Sequence, residues 1–548
     1  MALLNPFGGA LGRKHAAHLL KRATFGPTKQ RIDQFSNMTA AQAVGQLFTA
    51  AAEPSPPRDV ATGQAWNNPK PVEDVNSQEF DLIYYFRGWW LELMMKEGMS
   101  LTERMTFFMH IHFTSAFSVV GRSTALYYQN ALYRKYALGN FKELAKKVCT
   151  DNAMLVYLDG RLNDKDNPNE NFGREFLELF TIGKGPQIGL DDYTNYTEQD
   201  VQAASRVVSG YKNDNEFLET DIVTGLKTGI LKINAENQAT RHDPGVKTFS
   251  AAFGGATIQP NALMDGLATK EAALDELDQL VNLVFGQIET AKYLCRRLYR
   301  FFVYYEITDE IEQDIITPLA NTFQSNNYEI KPVLQQLLTS QHFYDTDNAI
   351  ETDDNRGAII KSPIDLVIGT LKFFKVVMPD SSTEIGLAYD TAYRSLIRRM
   401  DEQGLRFYDP PEVAGYSAYH QTPEFNRNWI SNIWLLRRYE FADFLLTKGE
   451  DQGFQLDTVA YVDNPQHISD PADPQALVQE LIDDLFPEII TQVRFDYFMN
   501  DILLDNLSAV NWAGEWNNYK ITGDDTNVKV QLDALFRALL QSPEYQLY

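Results

Sequence analysis

Three short segments hold most of the side chains that could do chemistry. Residues 167–180 read NPNENFGREFLELF. Asn167 and Pro168 suit the start of a helix. On the helix that follows, Asn171, Arg174, Glu175 and Glu178 fall at i, i+3, i+4 and i+7 and form one polar stripe. Phe172, Phe176, Leu177, Leu179 and Phe180 take most of the remaining circumference, so the helix should be largely buried with its stripe facing something polar inside the protein. Unpaired buried charge is costly, so these groups need partners. Two readings are level. Glu170, Glu175 and Glu178 could build an acid–base or metal cleft in which Arg174 orients a polar or anionic substrate group. Alternatively, the stripe is an Arg–Glu network that locks helices together.

The second segment is RHDPGVKTF at 241–249. Asp-Pro-Gly is a turn signal, so His242 and Lys247 flank a tight loop. A His beside an Asp at a loop edge can be a metal ligand or a general base. Taken alone, the segment reads more plainly as a local turn with a packed His. The third segment is His110-Ile111-His112. Two His two residues apart share one side of a strand but point about 200° apart on a helix. Ser100-Leu-Thr-Glu103 reads as a capping box, which predicts a helix here. The pair could then share a metal only if the helix stops near His110, and two packing histidines are the plainer reading.

Together the segments define an expected composite site. His110, His112, Glu175, His242 and Asp243 would hold a divalent metal, with Zn, Mn or non-haem Fe suited to such mixed ligands. Glu170, Arg174, Glu175, Glu178 and Lys247 would carry the catalysis. A metal-activated water attacking an ester, amide or glycosidic bond is the plainest mechanism. Without a metal, two of the Glu residues could still act as an acid–base pair. A metal-dependent oxidoreductase is a further alternative. The non-enzymatic alternative is an assembly or binding protein whose polar stripe is structural and whose loops and exposed aromatics meet a protein partner.

The elements that must position these residues read as helices. Apolar residues recur at three and four in 274–287, 290–306, 311–324, 363–377, 428–446 and 530–542, and Thr197-Glu-Gln-Asp200 opens a further helix ending near Gly210. Residues 52–78 are Pro-rich and polar and predict a long surface loop. Residues 211–262 lack helical period and predict a small β-containing excursion. The expected fold is mainly α, with one large multi-helix domain spanning 1–548 and that insertion within it. Leu337–Phe343 echoes Leu539–Tyr545, which reads as a shared way of stopping a helix.

Composition narrows the function classes. The chain has 548 residues, with 74 Asp and Glu against 49 Lys and Arg, a formal net charge of −25. That excludes nucleic acid as the main partner, which needs clustered positive charge. Only 8 His and 2 Cys are available, and no Cys-x-x-Cys is present, so a thiolate metal site is excluded. Local signatures of a nucleophile elbow, a His-Glu-x-x-His zinc site, a phosphate-binding loop and a dinucleotide-binding loop are all missing. No window of 18 apolar residues predicts a membrane span. At the N-terminus Arg13 and Lys14 follow a short apolar stretch, the reverse of a secretory signal. The expectation is a soluble chain, cytoplasmic as written and periplasmic or extracellular if a signal has been trimmed. A polar or anionic small molecule or a polymer is the expected substrate.

In order along the chain stand HLLKRATFGPT (18–28), LTERMTFFMHIHF (101–113), MLVYLDGRLNDKDNPNENFGREFLELFTIGKG (154–185), YTEQDVQAASRVVSGY (196–211), HDPGVKTF (242–249), KSPIDLVIGTLKFF (361–374) and FYDPPEVAGY…NWI (407–430). This series resembles the bacterial family known as domain of unknown function 1800, over about residues 10–445 and into the tail. Met109 and Tyr416 stand where the family pattern has Trp. The resemblance implies that the three polar segments belong to one domain and are family signatures. It implies no activity, and it implies that relatives are commonly exported.

Overall fold

The helices expected from apolar periodicity are present in the computed structural model, which describes residues 3–66, 75–346, 357–447 and 452–548. Lys270–Phe285, Ile288–Phe302, Pro363–Phe373, Asn432–Thr447 and Thr526–Leu540 match five of the periodic stretches. Each buries its apolar stripe. Helix Ile288–Phe302, for example, buries Ala291, Leu294, Cys295, Leu298 and Phe302 at the spacing that its sequence predicts. The sixth stretch, 311–324, is helical throughout but passes through a π-turn at Glu312–Ile316 before continuing as Thr317–Ser325. Among the described residues 24 α-helices are present, and the molecule is mainly α.

The β excursion is small. Three antiparallel two-stranded ladders pair Tyr211–Lys212 with Ile230–Leu231, Lys247–Thr248 with Thr257–Ile258, and Leu263–Met264 with Leu267–Ala268. It therefore runs a few residues past the expected limit of 262. The expected loop at 52–78 ends earlier than predicted, because Val75–Lys96 is helical, and residues 67–74 fall outside those described. Its proximal part is tied down: Trp66 is buried, and the Ser55 carbonyl accepts a hydrogen bond from Trp89.

Two helix starts that the sequence treats alike turn out differently. At Thr197 the backbone amide donates to the Asp200 carboxylate (2.8 Å), and Glu198–Val207 begins there. At Ser100 the expected box does not close. The helix begins at Thr102, the Ser100 hydroxyl accepts from the Thr102 amide, and the Glu103 amide donates to Glu97 instead. The Glu103 carboxylate is drawn inward by Arg134 (2.6 Å) and the Trp90 indole (2.8 Å), partners that outcompete a local cap. One contiguous cluster of buried apolar side chains runs from Leu3 to Tyr545 and surrounds these elements.

Candidate functional site

Helix Thr102–His112 continues through both of its histidines, so the two imidazoles diverge. His110 is fully buried and packs against Trp90 and, at 4.2 Å between centroids, Tyr408. Among the described residues neither of its ring nitrogens has a hydrogen-bond partner. Burial, with the neighbouring Arg87 charge, lowers it to about 3, so it is neutral. His112 points the other way, among Phe108, Phe113 and Phe141, and its Nε2–H donates to the Phe180 carbonyl (3.0 Å). Burial also takes His112 well below its usual range.

The polar stripe begins as an α-helix, Asn171–Glu175, and then widens into a π-turn, Phe176–Thr181, in which the Thr181 hydroxyl bonds back to the Phe176 carbonyl. Widened turns of this kind recur at functional sites. The π-turn alters the 3.6-residue register on which the stripe was drawn. Arg174 reaches across to Glu198 with two contacts of 2.9 Å and lies 3.7 Å from Glu170. Glu170 is partly exposed and, among the described residues, takes no other ion pair. Glu178 accepts from Lys184 (2.6 Å) and the Tyr196 hydroxyl (2.9 Å).

Glu175 differs from the rest of the stripe. It is half-buried, and among the described residues it has no hydrogen-bond or ion-pair partner. Burial, and then the charge of Glu178, push its carboxyl up to about 7. Its field and that of Asp409 both act on the Tyr157 hydroxyl, which is pushed up to about 12, chiefly by burial. Glu175 and Asp409 therefore both lie within electrostatic reach of the Tyr157 hydroxyl.

The crossing segment 406–416 was not among the expected site residues. Asp409 accepts from the Ser118 amide (3.1 Å) and hydroxyl (2.5 Å) and sits 3.9 Å from the buried Arg87. Asp401 also acts on Arg87. The Tyr408 hydroxyl accepts from Asn130 (3.1 Å) beside His110. Gly415, with φ of 102°, lets the segment press onto the end of the histidine helix, where an added Cβ would lie 3.1 Å from Thr114 Oγ1. The sequence signal was the FYDPPEVAGY motif itself, whose Asp and Tyr are out of place in a mere connection.

The His-Asp/Lys segment forms a separate buried cluster. His242 donates from Nδ1 to the Ser209 carbonyl (3.0 Å), and its Nε2 lies 2.5 Å from Glu276. Lys247 Nζ donates to Glu276 (2.5 Å) and to the Asp243 carbonyl (2.6 Å). All three side chains are fully buried. Burial lowers Lys247 against the opposing pull of Glu276. Asp243 takes Arg206 in a two-point contact of 2.7 and 3.1 Å. Burial would raise its carboxyl, but Arg206 and the Gly245 amide prevail and lower it. Glu276 was missed as a site residue. It sits between Ala273 and Leu280 on the buried face of Lys270–Phe285, and a charge on that apolar face was its signal.

The three segments adjoin through shared elements. His112 meets the π-turn at Phe180, Gly173 lies against Ser205 of helix Glu198–Val207, and Arg206 of the same helix holds Asp243. Their reactive groups face different neighbours, however. Among the described residues no three or more His, Cys, Asp or Glu side chains gather so that they could hold a metal ion.

A model of a protein family, described as protein of unknown function (DUF1800), matches residues 18–547. The chain belongs to this family. The match takes in the tail that the resemblance reached into, with the C-terminal helices of this DUF1800 member. No curated protein and no solved structure matches the chain. Among the described residues no helix is long and apolar enough to cross a membrane.

Proposed function

We propose that this DUF1800 protein is an enzyme that works by carboxyl acid–base chemistry, most simply a hydrolase of a polar substrate bound at Glu175 beside the π-turn. The observation that carries the reading is Glu175, the one carboxyl of the stripe left without a partner and raised to about 7. A group titrating near neutrality can give a proton to a leaving group and take one from water. Its neighbour Glu178 is committed to Lys184 and Tyr196, so two adjacent carboxyls have unlike environments, the arrangement that separates acid and base roles. Tyr157, on which the charges of both Glu175 and Asp409 act, would offer its hydroxyl to a polar substrate. A metal-dependent form of the reaction would need His110, His112, Glu175, His242 and Asp243 to converge, and among the described residues no three such side chains gather for a metal ion. The proton chemistry of Glu175 needs no such convergence.

A second reading, that the stripe is structural and the protein binds or assembles, is favoured by the Arg174–Glu198 pair and the fully buried His242–Glu276–Lys247 cluster. The two readings part at Glu175. In protein carrying carboxyl-labelled glutamate, an NMR titration should give Glu175 a midpoint near 7, assigned by its loss in Glu175→Gln. A panel of nitrophenyl esters and glycosides should show turnover that the Gln variant loses while remaining folded. A midpoint in the ordinary carboxyl range near 4.5, or undiminished turnover by Glu175→Gln, would overturn the enzymatic reading.

A further inference from the structure

On the far side of the histidine helix from His110, a crevice opens between that helix, helix Ile288–Phe302 and the segment 418–429. Its space is about 530 Å³ including the open mouth, of which only about 30 Å³ admits the centre of a water molecule, so it is narrow. Two arginines on one face of helix Ile288–Phe302, Arg297 and Arg300, line it, and Arg104 lies at its floor. In a chain with a net charge of −25, cations are normally matched by carboxylates. Arg104 is matched, by Asp365. Arg297 and Arg300 are not: among the described residues their only hydrogen bonds go to backbone carbonyls, of Ile111 (3.2 Å) and Tyr305 (3.1 Å). The nearby Glu312 is taken by Arg296. Burial and the charges of Arg297 and Arg296 make Arg300 hard to protonate, lowering it to about 10, a cost that an anion would relieve.

Two further polar atoms in the wall, Arg104 Nε and Asn426 Oδ1, are buried without a partner among the described residues. The rest of the lining is flat rings, Tyr305 and Trp429 among them, interleaved with aliphatic side chains such as Ile359 and Ile360. A guanidinium presents paired N–H groups that match a planar carboxylate, and rings favour a flat apolar body beside it. Space for only a few water-sized centres suits a carboxylate entering edge-on and excludes a bulky polyphosphate.

We infer that this crevice is a binding site for a carboxylate carried on a flat apolar group, held by Arg297 and Arg300 between aromatic walls. The inference does not depend on the acid–base reading of Glu175, which is not among the residues that line the crevice.

Isothermal titration of the full chain with sodium benzoate, benzamide and inorganic phosphate tests it. Benzoate should bind at least tenfold more tightly than benzamide, which has the same shape without the charge, and more tightly than phosphate. Arg297→Met and Arg300→Met should each weaken benzoate at least tenfold, and Arg300→Lys should weaken it less than Arg300→Met. Benzoate binding no tighter than benzamide would overturn the proposal, and this arm uses only the unaltered chain. Tighter binding of phosphate would overturn the assignment to a carboxylate. Unchanged benzoate affinity in a folded Arg297→Met/Arg300→Met double variant would show that the anion binds elsewhere.

Discussion

At the scale of single residues, two carboxyls a sequence reader would treat alike behave differently. Glu175 is raised from 4.5 to about 7, so between those values the native chain holds a proton that the unfolded chain has released. Its contribution to stability is therefore unfavourable and grows as pH rises from 4.5 to 7. Glu175→Gln removes that penalty. In urea melts it should match the parent at pH 4 and exceed it at pH 8 by on the order of 1–2 kcal/mol, after allowance for partial solvent exposure. Equal stability at pH 8 would remove the basis for a near-neutral carboxyl. Glu276 shows the opposite case. It answers the buried Lys247 ammonium and the His242 ring, and Glu276→Ala would strand both without water. The loss should be about 3–5 kcal/mol, against no more than about 1 kcal/mol for Arg174→Met at the half-exposed Arg174–Glu198 pair. Similar losses at both sites would contradict the burial contrast. Of these residues, Glu175 and its stripe were legible from helical spacing. That Glu175 alone would lack a partner was not, because the partners of its neighbours, Tyr196 and Glu198, lie on another element.

At the scale of elements, the site depends on how closely the stripe helix can lie on helix Glu198–Val207. Gly173 is the point of contact: a Cβ there would sit 2.2 Å from Ser205 Oγ and 2.9 Å from the Ser205 amide nitrogen. The hydroxyl can rotate away, but the backbone cannot. Gly173→Ala should therefore destabilise the fold by about 1–3 kcal/mol, and Ser205→Gly should recover only part of the loss. By parting the two helices, the same change should lower the Glu175 midpoint as solvent enters, a shift readable in the labelled protein. Full rescue by Ser205→Gly would mean that only the hydroxyl was in the way. Apolar period exposed these helices well because burial of one face selects the pattern. It did not expose the π-turn, since one widened turn leaves the apolar residues on a buried face and shows only in backbone bonds such as Thr181 to Phe176. The echo between Leu337–Phe343 and Leu539–Tyr545 is also an element-scale fact. Ser340 and Ser542 each bond back three residues and accept the amide three residues on, so one stop signal is used twice.

At the scale of the whole molecule, charge composition says little about the site, whereas the long-range contacts say much. Tyr157, Asp409 and Glu276 could not be assigned to their partners from the sequence because nothing local ties them together; only tertiary packing does. The clearest such contact joins the two ends of the described chain. The buried Tyr548 hydroxyl accepts from Arg104 (3.0 Å), 444 residues away, and donates to Asp365 (3.1 Å), while its carbonyl accepts from Arg22 (2.9 Å). Arg104 is on the histidine helix, Asp365 on Pro363–Phe373 and Arg22 on Gly12–Ala23. Tyr548→Phe keeps the ring and removes only the hydroxyl, leaving a buried guanidinium and carboxylate each short of one hydrogen bond. The cost should be about 1–2 kcal/mol. If the helices form one cooperative unit around the continuous core, that loss belongs to all of them. Native-state hydrogen exchange should then quicken by a similar factor in the slowest amides of Gly12–Ala23, Thr102–His112 and Pro363–Phe373, not merely near residue 548. Faster exchange confined to the last helix would mean that the C-terminal segment opens alone. In that case the histidine helix would be held by the remaining core without help from Tyr548.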